Sequence, residues 1–186
     1  MQTTSDQVLI AGIAKGDRLA MEVLFSRHRV PVYRFVLRMV RNATTAEDLL
    51  SDVFLDVWRQ AASFEGRSTV STWIFGIARF KALSALQRRR EEVLDDETAG
   101  AIADDADDPE VALAKKDKAA VLRQCLELLS VEHREIITLV YYQQKSVQEV
   151  AGIVGIPEAT VKTRMFYARK RISELLKERG IDRGWP

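Results

Sequence analysis

The stretch SVQEVAGIVGIPEATVKTRMFYARKRI, residues 146–172, decides how the C-terminal part of the chain folds. Ser146 and Glu149 have the spacing of a capping box, in which a hydroxyl and a carboxylate satisfy unpaired N–H groups at a helix start. Gly155 interrupts the helical pattern. Pro157 suits the first turn of a second helix, where its missing N–H is not needed. The spacing therefore predicts two helices joined by a tight turn, a helix-turn-helix.

Both predicted helices have an apolar face. These inward positions are Val147, Val150, Ala151 and Val154 in the first helix and Val161, Met165, Ala168 and Ile172 in the second. The opposite side of the second helix presents Glu158, Lys162, Thr163 and Phe166, with Arg164, Arg169 and Lys170 around them. The second helix of such a motif enters the major groove of DNA, so this pattern predicts a DNA-binding element. The alternative is a helical hairpin whose basic face is only solvated.

The composition excludes several classes of protein. With 47% hydrophobic residues in 186, the chain has enough apolar surface for a packed core. Its one cysteine, Cys125, has no partner for an internal disulfide, and it lies too far from His28 and His133 in the sequence for the three to indicate a zinc cluster. We therefore expect a reduced, cytoplasmic protein without a metal or a cofactor.

No stretch of the sequence is predicted to cross a membrane. The longest run without a charged residue, 68–78, is far shorter than the roughly 20 apolar residues that a membrane helix needs. The polar start MQTTSDQ does not have the pattern of a signal peptide. We expect neither a membrane anchor nor export.

The net charge of +1 hides an uneven distribution. Residues 91–110 contribute ten acidic residues and no lysine or arginine, so the rest of the chain carries a net charge of +11. Residues 67–90 hold six basic residues and no acidic one, and residues 158–171 hold five basic residues against one acidic. Basic clusters of this kind are typical of nucleic-acid-binding proteins, although solvated arginine-rich helices share the pattern.

Apolar residues recur at helical spacing along nearly the whole chain, which predicts an all-α fold. Thr4 with Gln7 and Thr44 with Glu47 fit further capping boxes and predict two helix starts. Two core-facing stripes are expected: Val32, Phe35, Val36, Met39 and Val40, then Leu50, Val53, Phe54, Val57 and Trp58.

The acidic segment sets the predicted domain boundaries. Its like charges repel one another and it has little apolar surface to bury, so residues 91–112 are predicted to be a flexible linker. We therefore predict two helical domains, residues 1–90 and residues 113–186, with the helix-turn-helix at 146–171 in the second.

By itself the helix-turn-helix fits many regulators, including the output domains of response regulators. The N-terminal half narrows the choice. Residues 46–90, AEDLLSDVFLDVWRQAASFEGRSTVSTWIFGIARFKALSALQRRR, resemble region 2 of sigma-70-family factors, and the C-terminal half resembles their region 4. The regions that lie between region 2 and region 4 in larger sigma factors are absent here. The chain therefore resembles an extracytoplasmic-function (ECF) sigma factor over nearly all of residues 5–178.

This resemblance implies a transcription initiation subunit and not an enzyme. Sigma factors of this group bring RNA polymerase core to promoters. Region 2 recognises and melts the minus-ten element, and region 4 recognises the minus-thirty-five element. The implied partners are the polymerase core, at the clamp helices of its largest subunit and at its flap, promoter DNA, and an anti-sigma factor that restrains the protein. The anti-sigma factor follows from the family alone.

For core binding, the resemblance assigns one acidic segment: Glu47, Asp48, Asp52 and Asp56. The three aspartates recur every four residues and so share one helix face, where like charges repel in the absence of a cationic partner. In the family this segment docks on the clamp helices. Leu49, Phe54 and Trp58 fit either apolar anchoring or, more simply, the core. Ser51 stands where many members have Gln, so one polar contact differs there.

For the minus-ten element, the resemblance assigns a loop and the helix after it: Phe64, Arg67, Ser68, Thr69, Arg79, Phe80, Lys81 and Arg88. In the family this loop takes up a flipped base, which needs an aromatic wall and hydrogen bonds to the base edge. Phe64 and the hydroxyls of Ser68 and Thr69 suit these roles, although Phe64 equally suits a staple to the core. The basic residues suit DNA phosphates. Phe80 stands where many members carry Asn, so the minus-ten sequence of relatives does not transfer.

For the minus-thirty-five element, the resemblance assigns the second helix of the motif: Lys162, Thr163, Phe166, Tyr167, Arg164 and Arg169. Lysine donates to guanine acceptors, threonine bonds several base edges and phenylalanine meets a thymine methyl. Arg164 and Arg169 suit phosphates or internal ion pairs better. The supporting core residues are expected to be Leu126, Leu129, Ile136, Ile137 and Val140.

Three other functions compete with this one. A repressor or activator that binds DNA without polymerase explains residues 146–171 but gives no role to the acidic face or to the basic helix ending at Arg90. An enzyme finds no support, because the sequence has no nucleophile with a base, no phosphate-binding glycine loop and no metal-ligand set. A scaffold that binds a kinase-type regulator would show partner binding without DNA protection.

Overall fold

The computed structural model describes residues 4–95 and 113–180. Within these residues the chain forms helices and no strand, as the all-α prediction requires. The helices are α1 (Asp6–Ile13), α2 (Arg18–Val40), α3 (Ala43–Gln60), α4 (Val70–Asp95), α5 (Leu113–Glu127), α6 (Val131–Ile137), α7 (Val147–Val154) and α8 (Glu158–Glu178). A short 3₁₀ turn, Ala61–Ser63, follows α3, and a π-helical turn, Thr138–Tyr142, continues α6.

The chain divides into two compact units, one containing α1–α4 and the other most of α5–α8. The prediction of two helical domains is thereby confirmed. Helix α4 continues to Asp95, beyond the boundary expected at residue 90. Of the predicted linker, residues 96–112 lie outside the described residues, as does the tail from residue 181.

The N-terminal unit is built around α2, which packs against α1, α3 and α4. All five residues of the stripe predicted on α2, from Val32 to Val40, are buried. In the stripe predicted on α3, Val53, Phe54 and Val57 are buried, while Leu50 and Trp58 are half-buried. The rings of Phe35 and Phe75 meet edge to face at 5.5 Å and join α2 to α4.

Two of the predicted helix starts are wrong. Ser5, not Thr4, caps α1, because its hydroxyl accepts a hydrogen bond from the Val8 N–H. Asn42, not Thr44, caps α3; its side-chain oxygen accepts from the Thr45 N–H at 2.8 Å. A capping residue must itself have an extended backbone, and Thr44 already lies in the first turn of the helix.

Asp6 at the start of α1 fastens this helix to α2. Arg27 Nη1 lies 2.5 Å from one carboxylate oxygen of Asp6, and His28 Nε2 lies 2.6 Å from the other. Burial acts to raise the pKa of Asp6, but the hydrogen bonds and charges of His28 and Arg27 outweigh it and hold that pKa below its ordinary value. The carboxylate therefore contributes to the packing of α1 while it is ionised.

In the C-terminal unit, α8 packs against α5 and α6. The core joins residues of α5, the turn after it, α6 and α8: Cys125, Leu126, Leu129, Ile137, Ala168, Ile172, Leu175 and Leu176. Four of the five predicted core residues, including Ile136, are buried. The fifth, Val140, lies in the π-helical turn and is half-buried.

None of the helices formed by residues 4–95 and 113–180 is long and apolar enough to cross a membrane.

Candidate functional site

Helix α7 starts with the capping box that the sequence predicts. The Ser146 N–H donates to Glu149 Oε2 at 2.9 Å, and the Glu149 N–H donates to Ser146 Oγ at 3.2 Å. The second carboxylate oxygen of Glu149 lies 3.1 Å from Lys145 Nζ. Both oxygens of Glu149 thus hold the start of the motif, which fixes the direction of α7.

The turn between α7 and α8 depends on Gly155. Its φ of +76° lies in the left-handed region, and nothing would contact an added Cβ within 4 Å, so the backbone conformation alone requires glycine. The Ile156 N–H donates to the Ala151 carbonyl at 3.2 Å and closes the helix end. Pro157 is the residue that precedes α8, not part of its first turn as predicted, because its ψ of 147° is extended.

Helix α8 buries one side and exposes the other. Val161, Ala168 and Ile172 are fully buried, as predicted, and Met165 is half-buried. The residues predicted to face bases are exposed: Lys162, Thr163, Phe166 and Tyr167. The Phe166 and Tyr167 rings, each more than half exposed, meet edge to face at 5.4 Å. These four residues together offer one cation, two hydroxyl groups and an aromatic pair.

Thr163 has a restricted hydrogen-bonding role. Its Oγ1 donates to the Ala159 carbonyl at 3.0 Å within the same helix. A threonine hydroxyl has one proton and two lone pairs, so while this bond lasts its outer side only accepts. Thr163 is thus suited to a base amino group, and not to a carbonyl oxygen.

The two arginines of α8 differ in their surroundings. Arg169 is exposed, and its Nη1 lies 3.5 Å from Tyr141 Oη in the π-helical turn. Arg164 is half-buried and lies near Glu132. The pKa of Glu132 is lowered by hydrogen bonds from its own backbone N–H and from Ser130, and the charges of Arg164 and His133 add to this against burial. Arg164 therefore acts at least in part inside the unit.

The acidic face of α3 is mostly open to solvent. Glu47, Asp48 and Asp52 are exposed, and Asp56 is half-buried. Leu49 and Phe54, each 4% exposed, belong to the core, and Trp58 is half-buried. The Ser51 hydroxyl donates to the Glu47 carbonyl at 3.2 Å. Glu47, Asp48 and Asp52 thus present three carboxylates to solvent. The apolar residues predicted beside them contribute little exposed surface.

An ion pair joins one residue assigned to polymerase binding with one assigned to DNA binding. Lys81 Nζ on α4 lies 2.8 Å from Asp56 Oδ2 on α3, and the two side chains are only 24% and 20% exposed. The sequence predicts Asp56 as a polymerase contact and Lys81 as a DNA contact. No local pattern indicates their pairing, because it depends on how α3 and α4 cross.

The loop before α4 is held by its own side chains. Phe64 is half-buried, with its ring 5.2 Å from that of Trp73, which agrees with the alternative of a staple to the core. Thr69 caps α4, because its Oγ1 accepts from the Thr72 N–H at 3.1 Å and donates to Thr72 Oγ1 at 2.9 Å. Phe64 and Thr69 thus both have structural duties in addition to any contact with DNA.

The outer side of this loop is polar. Gly66 adopts a φ of +70°, which turns the chain. Arg67 and Ser68, which follow the turn, are exposed. The Arg67 guanidinium forms an ion pair with Glu65, and the Ser68 hydroxyl donates to the Thr69 carbonyl at 3.3 Å.

Helix α4 presents the remaining predicted residues along its length. Phe80 is 68% exposed, Arg88 is exposed, and Arg79 and Lys81 are half-buried. Trp73 and Ile77 are also half-buried. Ile74, Phe75 and Ala78 are buried and belong to the side of α4 that faces the core.

Family comparisons match both halves of the chain. Residues 24–92 match the family described as Sigma-70 region 2, and residues 119–172 match Sigma-70, region 4. The ECF RNA polymerase sigma factor SigM of Mycobacterium tuberculosis is 32% identical over 173 residues, covering 92% of this chain and 85% of SigM. The RNA polymerase sigma-H factor of Pseudomonas aeruginosa is 26% identical over 181 residues, covering 92% of this chain and 94% of that protein.

Solved structures have the same fold. RpoE of Bartonella quintana, in complex with the anti-sigma factor NepR, superposes with a TM-score of 0.73 at 29% identity, covering 87% of this chain and 98% of RpoE. CnrH, in complex with the cytosolic domain of CnrY, gives a TM-score of 0.72 at 23% identity, covering 94% of this chain and 99% of CnrH.

Proposed function

Because this chain belongs to the extracytoplasmic-function (ECF) sigma factors of the sigma-70 family, we propose a division of tasks among its exposed surfaces. As a sigma factor, the protein binds RNA polymerase core, directs promoter-specific initiation of transcription and is not an enzyme. The surfaces proposed are the acidic face of α3 for polymerase, the loop before α4 with α4 itself for the minus-ten element, and α8 for the minus-thirty-five element.

The observation that carries the proposal is the exposed acidic face of α3. Three carboxylates, Glu47, Asp48 and Asp52, lie open to solvent on one helix. Asp48 and Asp52 are four residues apart, so their repulsion weakens an isolated helix, and a cationic surface that binds them relieves this repulsion. The clamp helices of the largest polymerase subunit are the proposed partner. Asp56 is a secondary contact, because Lys81 already neutralises it.

On α8 we assign base contacts to Lys162, Thr163 and Phe166. Lys162 donates to guanine acceptors, Thr163 accepts from a base amino group, and Phe166 contacts a thymine methyl. Arg169 is assigned to a phosphate, where it positions the helix and carries no sequence information. Tyr167 extends the aromatic surface beside Phe166, and Arg164 is assigned mainly to its electrostatic attraction to Glu132.

For the minus-ten element we assign Arg67, Ser68, Phe80 and Arg88 as the outward contacts. Phe80, more than two thirds exposed, has a flat face on which an unstacked base stacks. Phe64 and Thr69 shape the loop from within, through Trp73 and the cap of α4. Arg79 is assigned to a nearby phosphate, and Lys81 is a secondary phosphate contact, because Asp56 already engages it.

We further propose that an anti-sigma factor controls this protein in the cytoplasm. The support comes from RpoE of Bartonella quintana, whose solved structure contains the anti-sigma factor NepR. Purification of the protein with the product of a neighbouring gene tests this control. Full activity in cells that lack every such partner would contradict it.

The proposed function is tested by run-off transcription. Core polymerase with this protein should start at discrete promoters, and sequencing of the protected DNA should reveal two elements at the minus-ten and minus-thirty-five positions. Core polymerase alone is the control. A protein that protects DNA but never supports initiation would instead be a repressor or activator that acts without polymerase.

A further inference from the structure

Helix α2 carries apolar side chains on the side that faces away from the core. Leu19, Val23 and Val30 are 71%, 43% and 44% exposed, although Leu24 and Phe35 of the same helix are completely buried. Single exposed apolar residues are ordinary on protein surfaces and need no explanation. What distinguishes these three is their alignment along one line of the helix.

The exposed residues belong to a row of positions separated alternately by four and three residues: Leu19, Val23, Ser26, Val30, Tyr33 and Leu37. A repeat averaging 3.5 residues is the pattern by which one helix packs along another in a coiled coil. Five of the six positions are apolar or aromatic, and Tyr33 and Leu37 are half-buried. We call this row the outer seam of α2. The core of the unit uses the opposite side of the helix.

Arginines flank the outer seam. In the coiled-coil register, Arg27 and Arg34 occupy the positions after the seam residues and Arg29 the position before, with Glu22 as the acidic exception. Arg29 and Arg34 are exposed, whereas Arg27 is engaged by Asp6. Charges at these flanking positions select the charge of the partner helix. A helix that packs here therefore gains by bringing aspartate or glutamate.

We propose that the outer seam of α2 is a docking surface for an acidic amphipathic helix of a regulatory protein. The helix packs its apolar stripe on Leu19, Val23 and Val30 and places its carboxylates beside Arg29 and Arg34. This surface lies on a different helix from the acidic face of α3. The proposal rests on the proposed function in one respect, since it reserves α3 for polymerase.

Two synthetic peptides test the seam directly. Both contain three heptads with leucine and isoleucine in the seam; one has glutamate at the flanking positions and the other lysine. Fluorescence anisotropy with the full chain should show binding of the glutamate peptide, weakened by salt, and no comparable binding of the lysine peptide. Equal affinity for both peptides would overturn the proposal.

Substitutions locate the contact. Val23→Glu places a charge in the seam and should lower the affinity for the glutamate peptide about tenfold or more. Leu19→Glu, at a more exposed position, is a second seam variant for the case in which Val23→Glu does not fold. The matched control is Val8→Glu, a 61% exposed apolar residue of α1 outside the seam, which should leave binding intact. Arg29→Glu with Arg34→Glu should shift the preference toward the lysine peptide. An equal loss with Val8→Glu, or no loss with the seam variants, would refute the assignment.

A polymerase assay separates this proposal from the proposed function. Val23→Glu should keep its affinity for core polymerase, and Asp52→Lys should lose that affinity while still binding the glutamate peptide. Loss of core binding in Val23→Glu would make the seam a polymerase surface and overturn the docking proposal. Unchanged core binding in Asp52→Lys would instead contradict only the assignment of α3.

Discussion

The ammonium group of Lys81 lies 2.8 Å from Oδ2 of Asp56, so that α4 and α3 are joined by an ion pair across their contact. Each side chain is about four-fifths shielded from solvent. A partially shielded pair is screened less by water and salt than one on the open surface. Any polymerase or DNA group that uses either residue must therefore compete with the other. The pair sets Asp56 apart from the exposed Asp52, one turn earlier on α3.

A double-mutant cycle measures this pair. Asp56→Asn and Lys81→Met should each destabilise the N-terminal unit, and the double variant should cost less than the two together, with a coupling of about 1 kcal/mol. Urea unfolding of the full chain gives the free energies. Strictly additive effects would mean that the ion pair does not form in solution.

Asp52 and Asp56 should differ in their effect on polymerase binding. Asp52→Asn removes an exposed charge and should lower the affinity for core polymerase roughly tenfold, or about 1.4 kcal/mol. Asp56→Asn is the matched control and should affect stability more than affinity, because Lys81 already neutralises that carboxylate. Titration of labelled protein with core polymerase measures both. If the larger loss falls on Asp56, our ranking of these carboxylates is incorrect.

Thr69→Ala should destabilise the start of α4. The variant loses the hydroxyl that accepts from the Thr72 N–H, and the loss of such a cap costs about 1 kcal/mol. Ser68→Ala is the control, since the Ser68 hydroxyl donates to the carbonyl of the neighbouring Thr69 and not to the helix. Thermal denaturation compares the two. A melting temperature unchanged by Thr69→Ala would argue against the cap.

Lys162→Ala and Arg169→Ala should weaken DNA binding in different ways. If Lys162 binds a base, its removal should cost roughly 1–3 kcal/mol on the minus-thirty-five element and little on scrambled DNA. If Arg169 binds a phosphate, its removal should weaken binding to both DNAs alike and reduce the salt dependence. Binding of holoenzyme to the two DNAs at several salt concentrations separates these outcomes. A uniform loss of affinity with Lys162→Ala would reassign that residue to a phosphate.

The contribution of Asp6 to stability should depend on pH. Its pKa is below the ordinary value of 3.8, so the folded state favours the ionised carboxylate. This stabilisation is present above the pKa of the unfolded chain and is lost as the pH falls through the lower folded pKa. At pH 7, Asp6→Asn should therefore lower the free energy of unfolding by about 1 kcal/mol. At acid pH the free energies of unfolding of Asp6→Asn and of the unsubstituted protein should become more similar.

Urea unfolding at a series of pH values checks this prediction. In a Trp185→Phe background, Trp58 and Trp73 of the N-terminal unit provide the only tryptophan fluorescence. Asp17→Asn is a suitable comparison, because Asp17 caps α2 by accepting from the Ala20 N–H, a neutral backbone group. If Asp6→Asn lowers the free energy of unfolding by the same amount at neutral and at acid pH, the fold does not favour the ionised form of Asp6.

The helix-turn-helix was predictable in detail because its signals are local. The reciprocal bonds of Ser146 and Glu149 span three residues, and Gly155 must adopt its left-handed conformation whatever packs around it. The stripe from Val32 to Val40 was equally clear, since helical periodicity alone brings its members to one face. Where several polar residues compete to cap a helix, as with Asn42 and Thr44, the pattern was ambiguous and the prediction missed by two residues.

By itself, then, the sequence determined the helices and the two domains, because both follow from short-range spacing and residue type, and it indicated the family through its resemblance to sigma-70 regions 2 and 4. Only the tertiary structure decided that Lys81 faces Asp56, that Phe64 packs on Trp73, and that α2 turns one apolar side inward and leaves Leu19, Val23 and Val30 outside. The spacing of apolar residues shows that a helix has a face to bury. Which neighbour buries it, and which face is left for a partner, depends on how the helices cross.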